Sequence, residues 1–100
     1  MIDEAEHRHQ LLAQHIAVSV ALQVVLMRVK QGWTQDDLAQ KAGVSLKFIK
    51  ALERGDPALD YRMERLAKMA KAFDVALLVR YVPFSLYYPP DFEKERGRHE

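Results

Sequence analysis

The sequence predicts a single, mainly helical domain that ends in one short β-strand. Three observations carry this prediction. Residues Glu6 to Lys30 contain no proline or glycine, and apolar side chains recur among them every three or four positions, as in a helix. The glycines Gly32, Gly43 and Gly55 then separate shorter segments with the same periodicity. The last apolar segment, 75–82, is β-branched and aromatic, which is typical of a strand.

Composition limits what kind of protein this is. The chain has 100 residues, of which 49% are hydrophobic, so we expect one domain with a modest core. It contains no cysteine, which excludes disulfides, thiolate metal sites and thiol nucleophiles. The net charge of +1 is too small to indicate a nucleic-acid partner by itself. Any basic surface must therefore be local.

Nothing near the N-terminus predicts a membrane segment. The first ten residues, MIDEAEHRHQ, are polar and charged, unlike a signal peptide. The apolar run Ile16–Val29 is interrupted by Ser19, Gln23 and Arg28, and we expect it to be too short to span a bilayer. We therefore expect a cytoplasmic protein with no membrane partner.

The first two helices have recognisable ends. The segment from Glu6 to Lys30 is expected to form one long helix or two consecutive ones, ended by Gly32. Thr34 is a candidate N-cap for the next helix, Gln35 to Ala42. Asp37 stands three residues later, at the capping-box position, where glutamate is the preferred residue.

Two more helices are expected after the glycine that follows Ala42. Ser45 is the candidate N-cap of the first, Leu46 to Arg54, and Gly55 is expected to end it in the left-handed conformation. Asp60 is the candidate cap of the second, Tyr61 to Phe73.

The strand raises the question of its partner. Only Arg80 is charged within 75–82, so neither face suits water, and one strand alone cannot pair its backbone groups. We expect antiparallel pairing with a second copy of the chain; the alternative is pairing with FSLYY after a turn at Pro83. The expected organisation is a helical extension at 1–21, a helical domain at 22–75, a dimerisation strand at 76–84 and a loose tail at 85–100.

The segment GWTQDDLAQKAGVSLKFIKALERG has the spacing of a helix-turn-helix. If Gln35 is position one, Ala39 is the fifth residue, which must be small because the second helix crosses over it. Gly43 is the ninth residue, where the chain must turn sharply. The remaining apolar positions, which fasten both helices to the core, are Leu38, Ala42, Val44, Ile49 and Leu52.

The residues GWTQDDLAQKAGVS, IKALERG and MERLAKMAKAFDV resemble the Cro/C1-type (XRE) helix-turn-helix family, the fold of the lambdoid phage repressors. The resemblance covers Leu22 to Val75 and implies a lambda repressor-like helical domain that binds double-stranded DNA. It also implies a partly buried ion pair between Arg28 and Glu53, although two solvated charges remain the alternative. The positions with implied structural roles are Arg28, Leu38, Ala39, Gly43, Ile49, Leu52 and Glu53.

The same resemblance implies which residues contact DNA. Gln35, at a helix N-terminus, would meet the phosphate backbone, and the helix after Ser45 would enter the major groove. There Lys47 could donate to guanine O6 and N7, and Leu46 or Ala51 could meet a thymine methyl group. Leu46 and Phe48 are apolar, whereas the family often has polar residues at these positions. The implied contact positions are Gln35, Ser45, Leu46, Lys47, Lys50, Ala51 and Arg54.

Local charge agrees with a DNA partner. The segment 44–71 holds seven lysine and arginine side chains against four acidic ones, a net charge of +3. Lys47, Lys50 and Arg54 are the better candidates, because the motif directs them outwards. An ordinary solvated surface is expected for Arg65, Lys68 and Lys71.

An enzyme is not expected. The sequence has no glycine-rich phosphate loop and no supported Ser/His/Asp set. His7, His9 and His15 are candidate metal ligands, but the first two point to different faces of a helix. We therefore expect no metal and no cofactor.

The expected function is that of a sequence-specific transcriptional repressor that binds palindromic operator DNA as a homodimer. One alternative is the antitoxin of a toxin–antitoxin pair, which would bind a toxin and also repress its own operon. The other is a protein-interaction adaptor whose motif has lost DNA contact. The long first helix and the terminal strand are the surfaces that would distinguish them.

Overall fold

The computed structural model describes residues 3–87, which form a mainly helical domain as expected. The core lies where the second half of the first helix meets the next three helices. The helices, in chain order, are α1 (Glu4–Gln31), α2 (Gln35–Ala42), α3 (Leu46–Glu53), α4 (Met63–Phe73) and α5 (Phe84–Tyr87).

The first helix, α1, is one continuous helix of 28 residues rather than two. The carboxylate of Asp3 caps its first turn by accepting from the Glu6 N–H, and Gly32 ends it at φ 75°. Its buried residues are Ala17, Ala21 and Val24, whereas most of its first half is exposed. The part of α1 that is buried therefore begins at Ala17.

The apolar run Ile16–Val29, expected to be too short for a bilayer, lies inside a longer helix that continues beyond both of its ends. By length and composition alone, the whole of α1 is long and apolar enough to cross a membrane. The same helix packs against α3.

The two short helices begin at the predicted caps. The Thr34 hydroxyl accepts from the Asp37 N–H and the Asp37 carboxylate accepts from the Thr34 N–H, which completes the capping box. This hydrogen bond from the Thr34 backbone lowers the pKa of Asp37. The Ser45 hydroxyl caps α3 by accepting from the Phe48 N–H at 3.0 Å, and Gly43 makes the intervening turn at φ 69°.

The start of α4 differs from the prediction. The helix begins at Met63, its N-cap is Arg62, and Asp60 does not cap it. Instead, the Asp60 carboxylate accepts from the Arg62 guanidinium at 2.6 Å. The preceding loop is fastened by the Tyr61 hydroxyl, which donates to the Asp56 carbonyl at 2.6 Å, and burial raises the pKa of Tyr61.

The predicted C-terminal strand is not present in the described residues. Residues 75–83 have neither helical nor strand structure, because a strand requires a ladder partner and residues 3–87 supply none. The alternative partner is also wrong, since Phe84–Tyr87 is helical. The ring of Phe84 contacts His9, and that of Tyr87 contacts His15, so α5 lies along the first half of α1. The rest of the expected loose tail, 88–100, lies outside the described residues.

The core is built from the inner positions of the helix-turn-helix. Leu38, Ile49 and Leu52 are fully buried, and Ala39 is 4% exposed. The packing extends to α4, whose Phe73 ring stacks on Trp33 with centroids 5.5 Å apart. Helices of eight residues are marginal in water, so this shared core must stabilise both α2 and α3.

Replacing Ala39 by leucine tests this packing. Ala39→Leu should lower the free energy of unfolding by about 1–3 kcal/mol, because a buried methyl group becomes an isobutyl group between tightly packed helices. Urea unfolding measures the change. Gln40→Leu, the same side chain at the exposed neighbouring position, is the control; it loses only an exposed hydrogen bond to Asp36 and should leave stability nearly unchanged. Equal midpoints for the two variants would contradict the packing.

Candidate nucleic-acid interface

The second helix of the motif, α3, has clearly different inner and outer faces. Phe48, Ile49 and Leu52 are buried towards the core. Lys47 and Lys50 are exposed on the remaining surface of the same two turns. The helix therefore presents two ammonium groups to solvent while its apolar side fixes its position.

A third cation stands at the end of α3. Arg54 is the C-cap residue and is exposed. Within residues 3–87, no ion pair engages Arg54, Lys47 or Lys50. Two cations elsewhere are paired with a neighbouring acid, Arg62 with Asp60 and Lys68 with Glu64. The cations of α3 are consequently available to an external anion.

A buried ion pair anchors this surface to the first helix. The Arg28 guanidinium donates to both carboxylate oxygens of Glu53, from Nε at 2.7 Å and from Nη2 at 2.9 Å. Its remaining Nη1 donates to the Trp33 carbonyl at 2.9 Å. The two side chains are 16% and 6% exposed, and the hydrogen bond to Glu53 raises the pKa of Arg28. The structure thus favours the buried pair over two solvated charges.

The side chain of Gln35 is partly occupied within the protein, so its backbone N–H is the group most available to DNA. Its side-chain Nε2 donates to Glu53 Oε1 at 3.1 Å, so one amide hydrogen belongs to the buried network. Its place as the first residue of α2 leaves its backbone N–H directed out of the helix end. Asp36 and Asp37 occupy the same turn, however, and their negative charges oppose a close phosphate there.

Two of the implied base-contacting residues are placed differently from expectation. Ala51 is 8% exposed, so its methyl group faces protein rather than DNA. The reason is the length of α1: a side chain at Gly55, one turn further along, would lie 3.7 Å from the Ala17 carbonyl, so α1 covers this face. Leu46 is half-buried and packs against the core, which leaves only part of it accessible.

Arg65 is a residue whose position the sequence did not reveal. It was expected on a solvated helix surface, but it is half-buried and its guanidinium lies 4.9 Å from the centre of the Phe48 ring. It lines a polar pocket of about 340 Å³ beside the start of α3, together with Ser45 and Lys68. The feature of the sequence that points to this contact is Phe48. A buried ring on α3 needs a side chain from α4 to cover it.

Within residues 3–87, His7, His9 and His15 belong to no cluster of metal-binding residues. Residues 3–87 contain no group of three or more histidine, aspartate or glutamate side chains able to hold a metal. His9 and His15 instead make edge-to-face contacts with aromatic rings of α5.

Two helices joined by a tight glycine turn, with cations on the exposed side of the second, define a helix-turn-helix DNA-binding domain. The model of the family described as "Helix-turn-helix" matches residues 26–79, more than half of the chain. The chain therefore belongs to this Cro/C1-type (XRE) family of DNA-binding regulatory domains.

A curated relative agrees with this assignment. The chain is similar to a "Neisseria hypothetical transcription factor" from Neisseria meningitidis serogroup B (strain ATCC BAA-335 / MC58), with 30% identity over 70 residues. The match covers 70% of this chain and 64% of that protein, which is less than two thirds of its length. No solved structure matches the chain.

The ion pair can be tested by mutation. Removing either partner, with Arg28→Met or Glu53→Leu, should lower the free energy of unfolding by about 3–5 kcal/mol, because the remaining charge is buried without its partner. The double variant should cost much less than the sum of the two. Urea unfolding of the four proteins gives this coupling energy.

The exposed pair provides the control for that experiment. Arg62→Met breaks the contact with Asp60, whose side chains are both more than half exposed, and should cost less than about 1 kcal/mol. Arg28→Met and Glu53→Leu with equally small and additive effects would contradict the anchoring role.

Proposed function

We propose that the protein is a sequence-specific transcriptional repressor that binds palindromic operator DNA as a homodimer. The observation that carries this proposal is the unpaired cationic side of α3, held in place by the buried Arg28–Glu53 pair. Such a helix fits the major groove, where cations meet both base edges and phosphates.

In the proposed complex, some residues of the motif contact bases and give specificity, and others contact phosphates and give affinity. Lys47, in the first turn of α3, donates to guanine O6 and N7. Lys50 and Arg54 neutralise phosphates along the groove, and the Ser45 hydroxyl donates its hydrogen to a phosphate while its oxygen keeps the helix cap. Gln35 contributes its backbone N–H to a phosphate contact that the charges of Asp36 and Asp37 weaken. The accessible part of Leu46 contacts a thymine methyl group, and Ala51 makes no contact with DNA because it is buried.

The segment after α4 supports a dimer. Leu78 is 80% exposed and Val79 is 58% exposed, although both are large and apolar. The segment 75–80 also borders an apolar groove of about 630 Å³ between α1 and α4. In the proposed dimer, 75–82 of one copy pairs antiparallel with the same segment of the other and the ribbon covers the groove. Two copies of α3 can then reach half-sites about 34 Å apart.

An antitoxin is the second candidate function. The apolar exposure at 75–82 would also suit a toxin, and the DNA-binding surface would then repress the shared operon. We propose no catalytic role, no cofactor and no membrane partner, and we place the protein in the cytoplasm. The packing of Ala17, Ala21 and Val24 in the core supports that placement.

DNA binding by α3 is directly testable on duplexes selected from a random pool. Lys47→Ala should weaken binding and relax base preference at one position, whereas Lys50→Ala should weaken all sequences alike and lower the salt dependence by about one charge. Lys71→Ala, an exposed cation on α4, is the control and should bind like the parent. Fluorescence anisotropy at several salt concentrations measures all four. Parent-like binding by both α3 variants, or no response to salt, would favour the adaptor function instead.

The strand contact has its own test. Proline removes a backbone donor from a ladder, and alternate N–H groups face the neighbour, so Leu78→Pro or Val79→Pro should halve the assembly mass in sedimentation equilibrium. Neither N–H donates a backbone hydrogen bond within residues 3–87, so the fold should survive. Leu86→Ser, an exposed position on α5, is the control. A monomeric parent, or an unchanged mass in both proline variants, would contradict the strand dimer.

A further inference from the structure

Helix α1 carries a second apolar surface that residues 3–87 leave largely exposed; the ring of Tyr87 on α5 contacts this surface at His15. Its core side is formed by Ala17, Ala21 and Val24, and its groove side includes Val20 and Met27. A further row of side chains runs along α1 on the side opposite the groove, about half a helical turn away. We call this row the outer stripe. The outer stripe consists of Leu11, His15, Val18, Leu22, Val25 and Val29; all are exposed except Val25, which is half-buried.

The outer stripe follows a heptad repeat. Its six positions are separated alternately by four and three residues, the spacing with which one helix packs along another. The 19 residues from His9 to Met27 contain no lysine, arginine, aspartate or glutamate, so the flanks of the stripe are uncharged as well. A surface with this spacing is suited to a helix as its partner.

We propose that the outer stripe pairs with the outer stripe of a second copy, with the two α1 helices antiparallel. A two-fold contact needs only one self-complementary surface, and this stripe is self-complementary in one register. That register places Leu11 opposite Val29, His15 opposite Val25, and Val18 opposite Leu22. The stripe residues are alternately the a and d positions of the heptad. In this register each a residue of one helix lies opposite a d residue of the other, as in antiparallel coiled coils.

Charge at the helix ends selects the antiparallel arrangement. The first turn of α1 carries Glu4 and Glu6, and the last turn carries Lys30. Antiparallel helices bring the acidic end of one copy near the basic end of the other and oppose their dipoles. Parallel helices would place acid beside acid and His15 beside its own copy.

The size of the stripe fits a modest interface. The relative exposures of its side chains and of adjacent Leu26 leave on the order of 500 Å² of apolar surface, at the upper end of what monomers expose. Pairing removes roughly 1,000 Å² in total, the lower bound for a specific interface. Because this contact lies on the other side of α1 from the strand and groove, both contacts can form at once. Two isologous contacts give a tetramer with two DNA-binding dimers.

Cross-linking between introduced cysteines tests the register, because the chain has no cysteine of its own that could react. Full-length Leu11→Cys and Val29→Cys, one of them tagged, are mixed and treated with a short thiol-reactive cross-linker. The mixed product should form in large excess over either single-variant product. Predominant products from each variant alone indicate a parallel pair and overturn the register, and no intermolecular product overturns the contact.

A charge substitution tests the contact independently of the strand. Leu22→Lys should halve the assembly mass in sedimentation equilibrium, whereas Ala13→Lys, an exposed position off the stripe, should not. DNA binding by the two variants reports on the proposed function separately, because neither residue lies on α3. Parent-like mass for Leu22→Lys overturns the contact. If Leu22→Lys instead abolishes sedimentation with lipid vesicles, the stripe binds a bilayer, and the pairing is likewise overturned.

Discussion

The buried ion pair between Arg28 and Glu53 is the interaction on which the rest of the domain depends. It joins the last turn of α1 to the last residue of α3, and the same guanidinium holds the Trp33 carbonyl between α1 and α2. The Glu53 carboxylate also accepts from Gln35, the first residue of α2. One network therefore connects three helices, two of which have only eight residues and depend on tertiary contacts.

The residues that fix the position of α3 are different from the residues that it presents outwards. A buried ion pair contributes modestly to net stability, but the two-point contact between the Arg28 guanidinium and the Glu53 carboxylate restricts how the two helices can be oriented. The angle at which α3 leaves the domain is thus fixed by residues that do not touch DNA. The outward cations Lys47 and Lys50 are then free of ion pairs within the described chain and can be exchanged without disturbing the core. Substitutions on the outer side of α3 therefore require no change of fold.

The sequence predicts local features better than distant ones. The capping residues Thr34 and Ser45 act within three residues, so their roles were evident from spacing alone. The burial of Ala51 depends on α1, more than twenty residues earlier, and no local pattern shows it. The segment 75–82 has strand composition, but a strand also needs a partner, and composition does not supply one. Asp60 does not cap α4, because the helix begins at Met63 and Asp60 lies two residues before the N-cap.

The central claim is that α3, and not another surface, meets DNA. Backbone amide exchange followed by mass spectrometry, with and without a selected duplex, tests it most directly. The account predicts slower exchange on DNA binding across the turn at Gly43 and the first turns of α3, with no change in the first half of α1. Protection confined to α1 or to 75–83, with α3 unaffected, would contradict it.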